Sequence, residues 1–272
     1  MRKHTANPDA HSKTRRGFVA IRDEIWKGAE QNSAVFTKSD VSHLPRPVKR
    51  YFDCCGYIGA PKMRAMKAVY RDVGFLFGKG KPISIDYVQY NIAYEPARIA
   101  YIDSRPLGIP FEGLDLYVGG SGSMTGILAN FITLFNQAGE TLNQSSLVTF
   151  LSECLIIPSV ALQDYIAWEE IDALHAKAAI SCYGISASGI FTFNEIGEMV
   201  SFDTYDREAA AINGTKKVRW SAVFGEYRME NGVNKPGRFQ AVWHYDDGDL
   251  LYFDGKNVSI EFDPEQHGAL MY

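Results

Sequence analysis

The chain has 272 residues, 46% apolar, 13% aromatic and 22% charged, with a net charge of −4, enough apolar side chain for one large β-rich domain or two smaller ones. Residues 1–50 carry 11 Lys and Arg against 5 Asp and Glu, and the remainder holds an excess of ten acidic residues, so the body repels polyanions and nucleic acid is excluded as its partner. No apolar stretch approaches the ~20 residues of a membrane-spanning helix, none follows the basic N-terminus as in a secretory leader, and Cys54, Cys55, Cys154 and Cys182 match no zinc or disulfide spacing; a cytoplasmic protein without metal or cofactor is expected.

Residues 1–16 are polar, basic and without periodicity, and read as disordered. Phe18, Ile21, Ile25 and Trp26 then fall on one face of a short helix over 17–30. That face either packs on its own domain or, with Trp26 and the basic residues before it, rests peripherally on a membrane through residues 1–30. Pro45 and Pro47 start a helix over 46–55, because a missing N–H costs nothing in a first turn. Strands are expected at 63–77, 84–94, 98–104, 111–119 and 122–128, then a helix over 141–154. Further strands follow at 165–170, 177–183, 188–194, 198–206, 216–228, 237–246, 249–254 and 257–262. In Ile85-Asp-Tyr-Val-Gln-Tyr-Asn91, residues 85, 87, 89 and 91 share one face. The partition is a basic extension (1–35), a single domain (36–265) and a short tail (266–272). The fold class is mainly β (α+β), a strongly curved antiparallel sheet or half-barrel wrapping one or two helices.

Chemistry-bearing motifs are sparse. Gly119-Gly-Ser-Gly-Ser123 lacks the Lys-Ser/Thr of a phosphate loop and the final glycine of a nucleophile elbow, and reads as a glycine-relieved bend. No two histidines have metal-ligand spacing. Asp246-Asp-Gly-Asp249 is too short for a calcium loop and reads as a hairpin turn. Glu153, ending an apolar helix, and Arg207, closing a strand, could each set a charge at the edge of an apolar cavity; an ion pair or a solvated rim is the plainer reading of both.

Several segments in order carry a family resemblance: Leu44-Pro-Arg-Pro-Val-Lys-Arg-Tyr-Phe52, Gly113-Leu-Asp-Leu-Tyr-Val-Gly-Gly-Ser-Gly-Ser-Met124, Phe150-Leu-Ser-Glu-Cys154 running to Pro158, Trp168-Glu-Glu-Ile-Asp172, Phe191-Thr-Phe-Asn-Glu-Ile-Gly197 with Asp206-Arg207, and Trp243 with Gly248-Asp249 and Tyr252. Across residues 37–263 the chain resembles an uncharacterised bacterial domain family. The layout is similar to lipoprotein-carrier (LolA-like) domains, which implies a curved antiparallel sheet around helices and an apolar cavity. Two departures stand out: Pro96-Ala-Arg-Ile-Ala100 replaces an aromatic-bearing stretch, and the N-terminal membrane segment of many members is absent.

The leading functional expectation is a non-enzymatic binder of an apolar or amphiphilic, lipid-like molecule. Tyr87, Gln89, Phe191, Phe193, Phe202, Trp220, Phe224 and Trp243 would line a void of several hundred Å³, with Glu153 and Arg207 at its mouth. Aromatic alternation is equally what a filled core shows. Two alternatives are an enzyme acting on a small amphiphile, which needs two of His244, Glu153 and Asp172 to converge in one cleft, and an interaction module using a sheet edge or the N-terminal helix.

Overall fold

Alternation of apolar and polar residues governs most of the chain, and in a computed structural model it produces mainly strands among the described residues, which are 12–27, 34–76, 80–211 and 214–264. Helix α1 (Lys13–Lys27) and helix α2 (Arg46–Cys54) precede six strands: β1 (Ala65–Phe75), β2 (Ile83–Ile92), β3 (Ala97–Ser104), β4 (Phe111–Val118), β5 (Ser121–Leu128) and β6 (Ile132–Ala138). Helices α3 (Glu140–Ser152) and α4 (Pro158–Ala161) follow. Then come β7 (Ile166–Glu170), β8 (His175–Cys182), β9 (Ile185–Phe193), β10 (Met199–Thr204), β11 (Glu208–Ala211), β12 (Gly214–Lys217), β13 (Arg219–Gly225), β14 (Arg228–Glu230), β15 (Val233–Lys235), β16 (Arg238–Tyr245) and β17 (Gly248–Phe262). Thirteen of these strands make one antiparallel sheet in the order β6-β5-β4-β3-β2-β1-β17-β16-β13-β10-β9-β8-β7, while β11–β12 and β14–β15 are separate hairpins.

The sheet is open but bent around α3. That helix contacts β4, β5 and β6 near one end of the sheet and β8 and β9 near the other. Gly122 shows how close the approach is: a Cβ there would lie 2.6 Å from the carbonyl oxygen of Leu142, and its own N–H donates to Asn143 Oδ1 at 2.7 Å. Across the gap, Gln144 Nε2 donates to the carbonyl of Ser186 at 2.8 Å. The glycine motif is therefore a contact surface for a helix. Being covered on several sides, α3 buries residues 145–148 and 150–152, serines included, instead of one apolar stripe.

The concave face packs Val48, Tyr51 and Phe52 of α2, Leu147, Val148 and Leu151 of α3 and Val160 of α4 into a single core with the strands. Both prolines lie in the opening turn region of α2, with Pro45 as N-cap, and Tyr51 donates its hydroxyl to the carbonyl of Leu155 at 2.8 Å. The opposite face carries a second core, in which Phe18 and Trp26 of α1 pack against Val88, Tyr90, Ile99 and Tyr101. Strands β2 and β3 are thus covered on both faces, which is why they are buried along most of their length. The apolar face of α1, considered above for a bilayer, is already in use on this sheet.

Several boundaries differ from those read from sequence. The helix begins at Lys13, so residues 13–16 are helical; residues 1–11, 28–30 and 265–272, including the whole tail, lie outside the described set. Strand β6 occupies residues with no expected element. The two strands expected at 249–254 and 257–262 are one, β17, whose pairing with β1 is bulged and whose Asn257 takes φ 52°. Substituting Gly122→Ala should push the first turn of α3 off β5 and destabilise the fold by about 1–3 kcal/mol, measurable as a lower urea midpoint with unchanged slope.

Candidate functional site

A cavity of about 150 Å³ lies between the concave face and the C-terminal half of α3, open to solvent on one side. Its floor comes from β2, β3 and β4, and its walls are Tyr70, Phe75, Phe224, Phe239, Tyr252 and Phe253, with Ala222 and Ala241 leaving the central space. Tyr70 meets the rings of Tyr87, Phe239 and Phe253 edge-on at 5.4–5.6 Å. This volume is far smaller than the several hundred Å³ expected. It is about the size of a dry cavity that admits benzene and falls below the ~300 Å³ at which pockets begin to enclose drug-sized ligands.

Antiparallel register assembles the floor. Asn91 is opposite Arg98, and Ala100 is opposite both Gln89 and Asp115, so Gln89, Asn91, Arg98 and Asp115 project from one face as neighbours. Arg98, 6% exposed, uses its whole fork: Nε faces Glu153 at 3.2 Å, Nη1 donates to Asp115 Oδ2 at 2.8 Å, and Nη2 donates to Tyr87 Oη at 2.6 Å and Gln89 Oε1 at 3.2 Å. Glu153 Oε2 also accepts from Gln89 Nε2 at 2.8 Å and Asn91 Nδ2 at 2.7 Å. Burial works against the charge of Arg98, but Glu153, Tyr87 and Asp115 outweigh it and hold the guanidinium protonated. For Glu153 burial wins and pushes the carboxyl above its ordinary value, against the opposing pull of Arg98 and Asn91. Desolvation likewise pushes the Tyr87 phenol up, so it stays a neutral donor. With all three nitrogens of Arg98 engaged, this network orders the floor and commits Arg98 to partners of its own chain.

The second arginine differs. Arg207, in the bend between β10 and β11, lies with its guanidinium carbon 4.7 Å from the Trp220 ring centre and 5.7 Å from that of Trp243. Its Nη1 donates to Thr149 Oγ1 on α3 at 2.7 Å. Among the described residues no carboxylate forms an ion pair with it, whereas the neighbouring Asp206 is turned away to Ser188. The two indoles hold the guanidinium by cation–π contact, and among the described residues only Nη1 is committed to a hydrogen bond.

Of the residues chosen from sequence, Tyr87, Gln89, Glu153, Arg207, Trp220 and Phe224 line this cavity, and Trp243 borders it through Arg207. Glu153 belongs to the floor and not to the mouth. Phe191, Phe193 and Phe202 lie elsewhere, in filled core: Phe191 meets Phe202 at 4.8 Å and Trp168 at 5.5 Å, and Phe193 meets Tyr51 at 6.1 Å. Sequence reading missed Arg98 and Asp115, although Arg98 is the one cation of β3 and Asp115 sits between two leucines of β4, placements that point to a buried partner.

The three acid–base candidates do not converge. Asp172 caps an exposed turn, accepting from the backbone N–H of Leu174 and His175 and from the His175 ring. His244 is on the other face of the sheet from the cavity, between Ser221 Oγ (Nε2, 2.7 Å) and Asp249 Oδ1 (Nδ1, 2.7 Å). That connectivity has the order of a nucleophile relay, but Ser221 is 3% exposed and donates to Asp203 at 2.5 Å. Its backbone neighbours are committed to ladders on both sides, so no donors are set for an oxyanion. It is a cross-strand polar belt.

Fold and site define an open antiparallel half-barrel with a small amphiphilic pocket. Residues 34–255 match the model of the family of unknown function DUF6544, and the chain belongs to that family. No curated protein matches it. In structure it is similar to a LolA superfamily protein from Nitrosomonas europaea, at 12% identity and TM-score 0.42 over 79% of this chain and 93% of that one. It is also similar to a DUF1329 family protein from Desulfovibrio piger, at 12% identity and TM-score 0.37 over 85% and 95%.

Replacing Arg98→Met strands the buried carboxylate of Glu153 and the half-buried one of Asp115 and should cost about 3–5 kcal/mol. Glu153→Met should cost less, because Arg98 keeps Asp115, and the double variant should lose less than the two singles together; urea unfolding of the three measures this. Since folded Glu153 binds its proton more tightly than the unfolded chain does, stability should fall as pH rises through the interval just above the ordinary value of 4.5. Glu153→Gln should remove that downward slope in a pH series of denaturation midpoints.

Proposed function

We propose that this protein binds a small amphiphile bearing an anionic head, as a carrier or sensor without chemistry of its own. The observation that carries the reading is Arg207, stacked on Trp220 and Trp243 without a carboxylate partner among the described residues, at the mouth of a cavity with aromatic walls. A carboxylate or phosphate could take two N–H groups of that fork side by side, the strongest geometry for such a pair. The apolar portion would enter between Phe224, Phe239, Tyr252 and Phe253. At about 150 Å³ the enclosed space suits a ring or a short chain, and a longer tail would extend from the open side.

The carboxylates of the floor support the assignment of the head to the rim. Glu153 and Asp115 already neutralise Arg98, so an anion driven to the floor would meet negative charge, while the rim presents the Arg207 cation, which forms no ion pair among the described residues. The scattered positions of His244, Glu153 and Asp172 leave the enzymatic alternative without a convergent acid–base pair.

Binding of a short-chain fluorescent fatty acid, followed by tryptophan quenching at Trp220 and Trp243, tests the reading. Arg207→Gln should weaken it about 10- to 100-fold, and Ala241→Leu, which fills the cavity, should abolish it with the fold intact by circular dichroism. Equal binding by both variants and the parent protein, or no binding by any of them, would refute the proposal.

A further inference from the structure

We propose that edge strand β6 is a self-association surface, pairing antiparallel with β6 of a second copy of this chain about a two-fold axis. Among the described residues the main sheet ends on β6 and β7, and an edge strand offers a row of N–H and C=O groups to any strand that fits. Only one end is guarded. Strand β7 is five residues long and closes with Glu169 and Glu170, and Arg46 covers Glu170 through its backbone N–H at 2.8 Å and its Nε at 2.7 Å. Strand β6 has no such device among the described residues. No Asp, Glu, Lys, Arg or His occurs anywhere between Asp115 and Glu140. Every residue of β6 is exposed except Phe135, whose ring folds back over Gly126.

The surface beside that edge is apolar. Phe131 is 79% exposed and Leu134 53%. The hairpin tip is tied to the preceding loop by the Ala129 N–H donating to the Pro110 carbonyl at 2.7 Å, which sets Leu107 and Ile109, also exposed, alongside. Contiguous apolar patches of this kind mark contact sites on soluble surfaces.

Charge selects the occupant. Beyond residue 50 the chain has ten more acidic than basic residues, so two copies repel over most approaches, and the charge-free hairpin is where they can meet with no like charges opposed. A head-to-tail β6–β7 contact would set the new strand against Glu169 and Glu170, so closed two-fold pairing is favoured over an open filament. A bilayer would leave the edge N–H groups unmatched, and an acidic body approaches anionic lipid poorly.

Sedimentation of the full chain between about 1 and 100 µM should show a monomer–dimer equilibrium. Leu134→Lys and Leu134→Glu, each placing like charges near the dyad, should each weaken the dimer at least about tenfold, and mixing the two variants in equal amounts should restore a heterodimer. Ile190→Lys, on an exposed position of β9, should leave the dimer intact, and circular dichroism confirms that all variants are folded. A parent protein that stays monomeric at the highest concentration, or dimers that survive both Leu134 substitutions, would overturn the proposal. Binding of the monomer to neutral phosphatidylcholine vesicles, lost in Leu134→Lys, would overturn it too and reassign the patch to a lipid surface.

Discussion

A guanidinium buried on the concave face of a β-sheet is the constraint from which the rest of this structure follows. Isolated, Arg98 would be prohibitively costly to desolvate. It is tolerated because β2, β3 and β4 are held in the one register that sets Tyr87, Gln89, Asn91 and Asp115 around it, and because α3 ends where Glu153 completes the ring of acceptors. Sliding any of these strands by one residue would turn the partners to the other face. The polar cluster thus specifies the strand register and the seat of the helix together, and hydrophobic burial, which is non-directional, could specify neither so sharply.

That arrangement also decides what the pocket is. Helix α3 must come close to the sheet to deliver Glu153, and Gly122 on β5 permits the approach. The interior is consequently narrow, and the remaining space lies on the far side, toward β13, β16 and β17, where Ala222 and Ala241 are small. Charge is divided between a satisfied arginine at the bottom and one at the opening whose fork is only partly engaged. The first does structural work, and the second is the one the proposed ligand would meet.

The fold was legible from sequence because alternation and turn residues are local signals. Face assignments in β2, the prolines beginning α2 and the extent of α3 all follow from spacing. Strand β6 was not legible: Ile132-Thr-Leu-Phe135 has the residue types of a strand, but alternation in burial is what such patterns report, and a strand exposed on both faces has none. The site was read in part. Trp220 and Phe224 come from β13 and Arg207 from the bend before β11, yet each carries a local signal, an aromatic on the core face or a charge at a strand end. Arg98 carried one too, a single cation in an apolar run, but its meaning depends on Glu153, 55 residues away. Phe191, Phe193 and Phe202 look identical to pocket aromatics in sequence, and only three-dimensional placement separates a wall from a core.

The packing of α1 on the outside has a mechanical corollary. Strands β2 and β3, roofed by one helix and underlain by others, can exchange their amide hydrogens only when the whole domain opens. Strands β16 and β17, half-exposed and bulged, have no second cover among the described residues. A chamber built this way has one stiff side and one compliant side, so widening to admit a guest would be borne by the compliant side while the buried ion cluster stays in register.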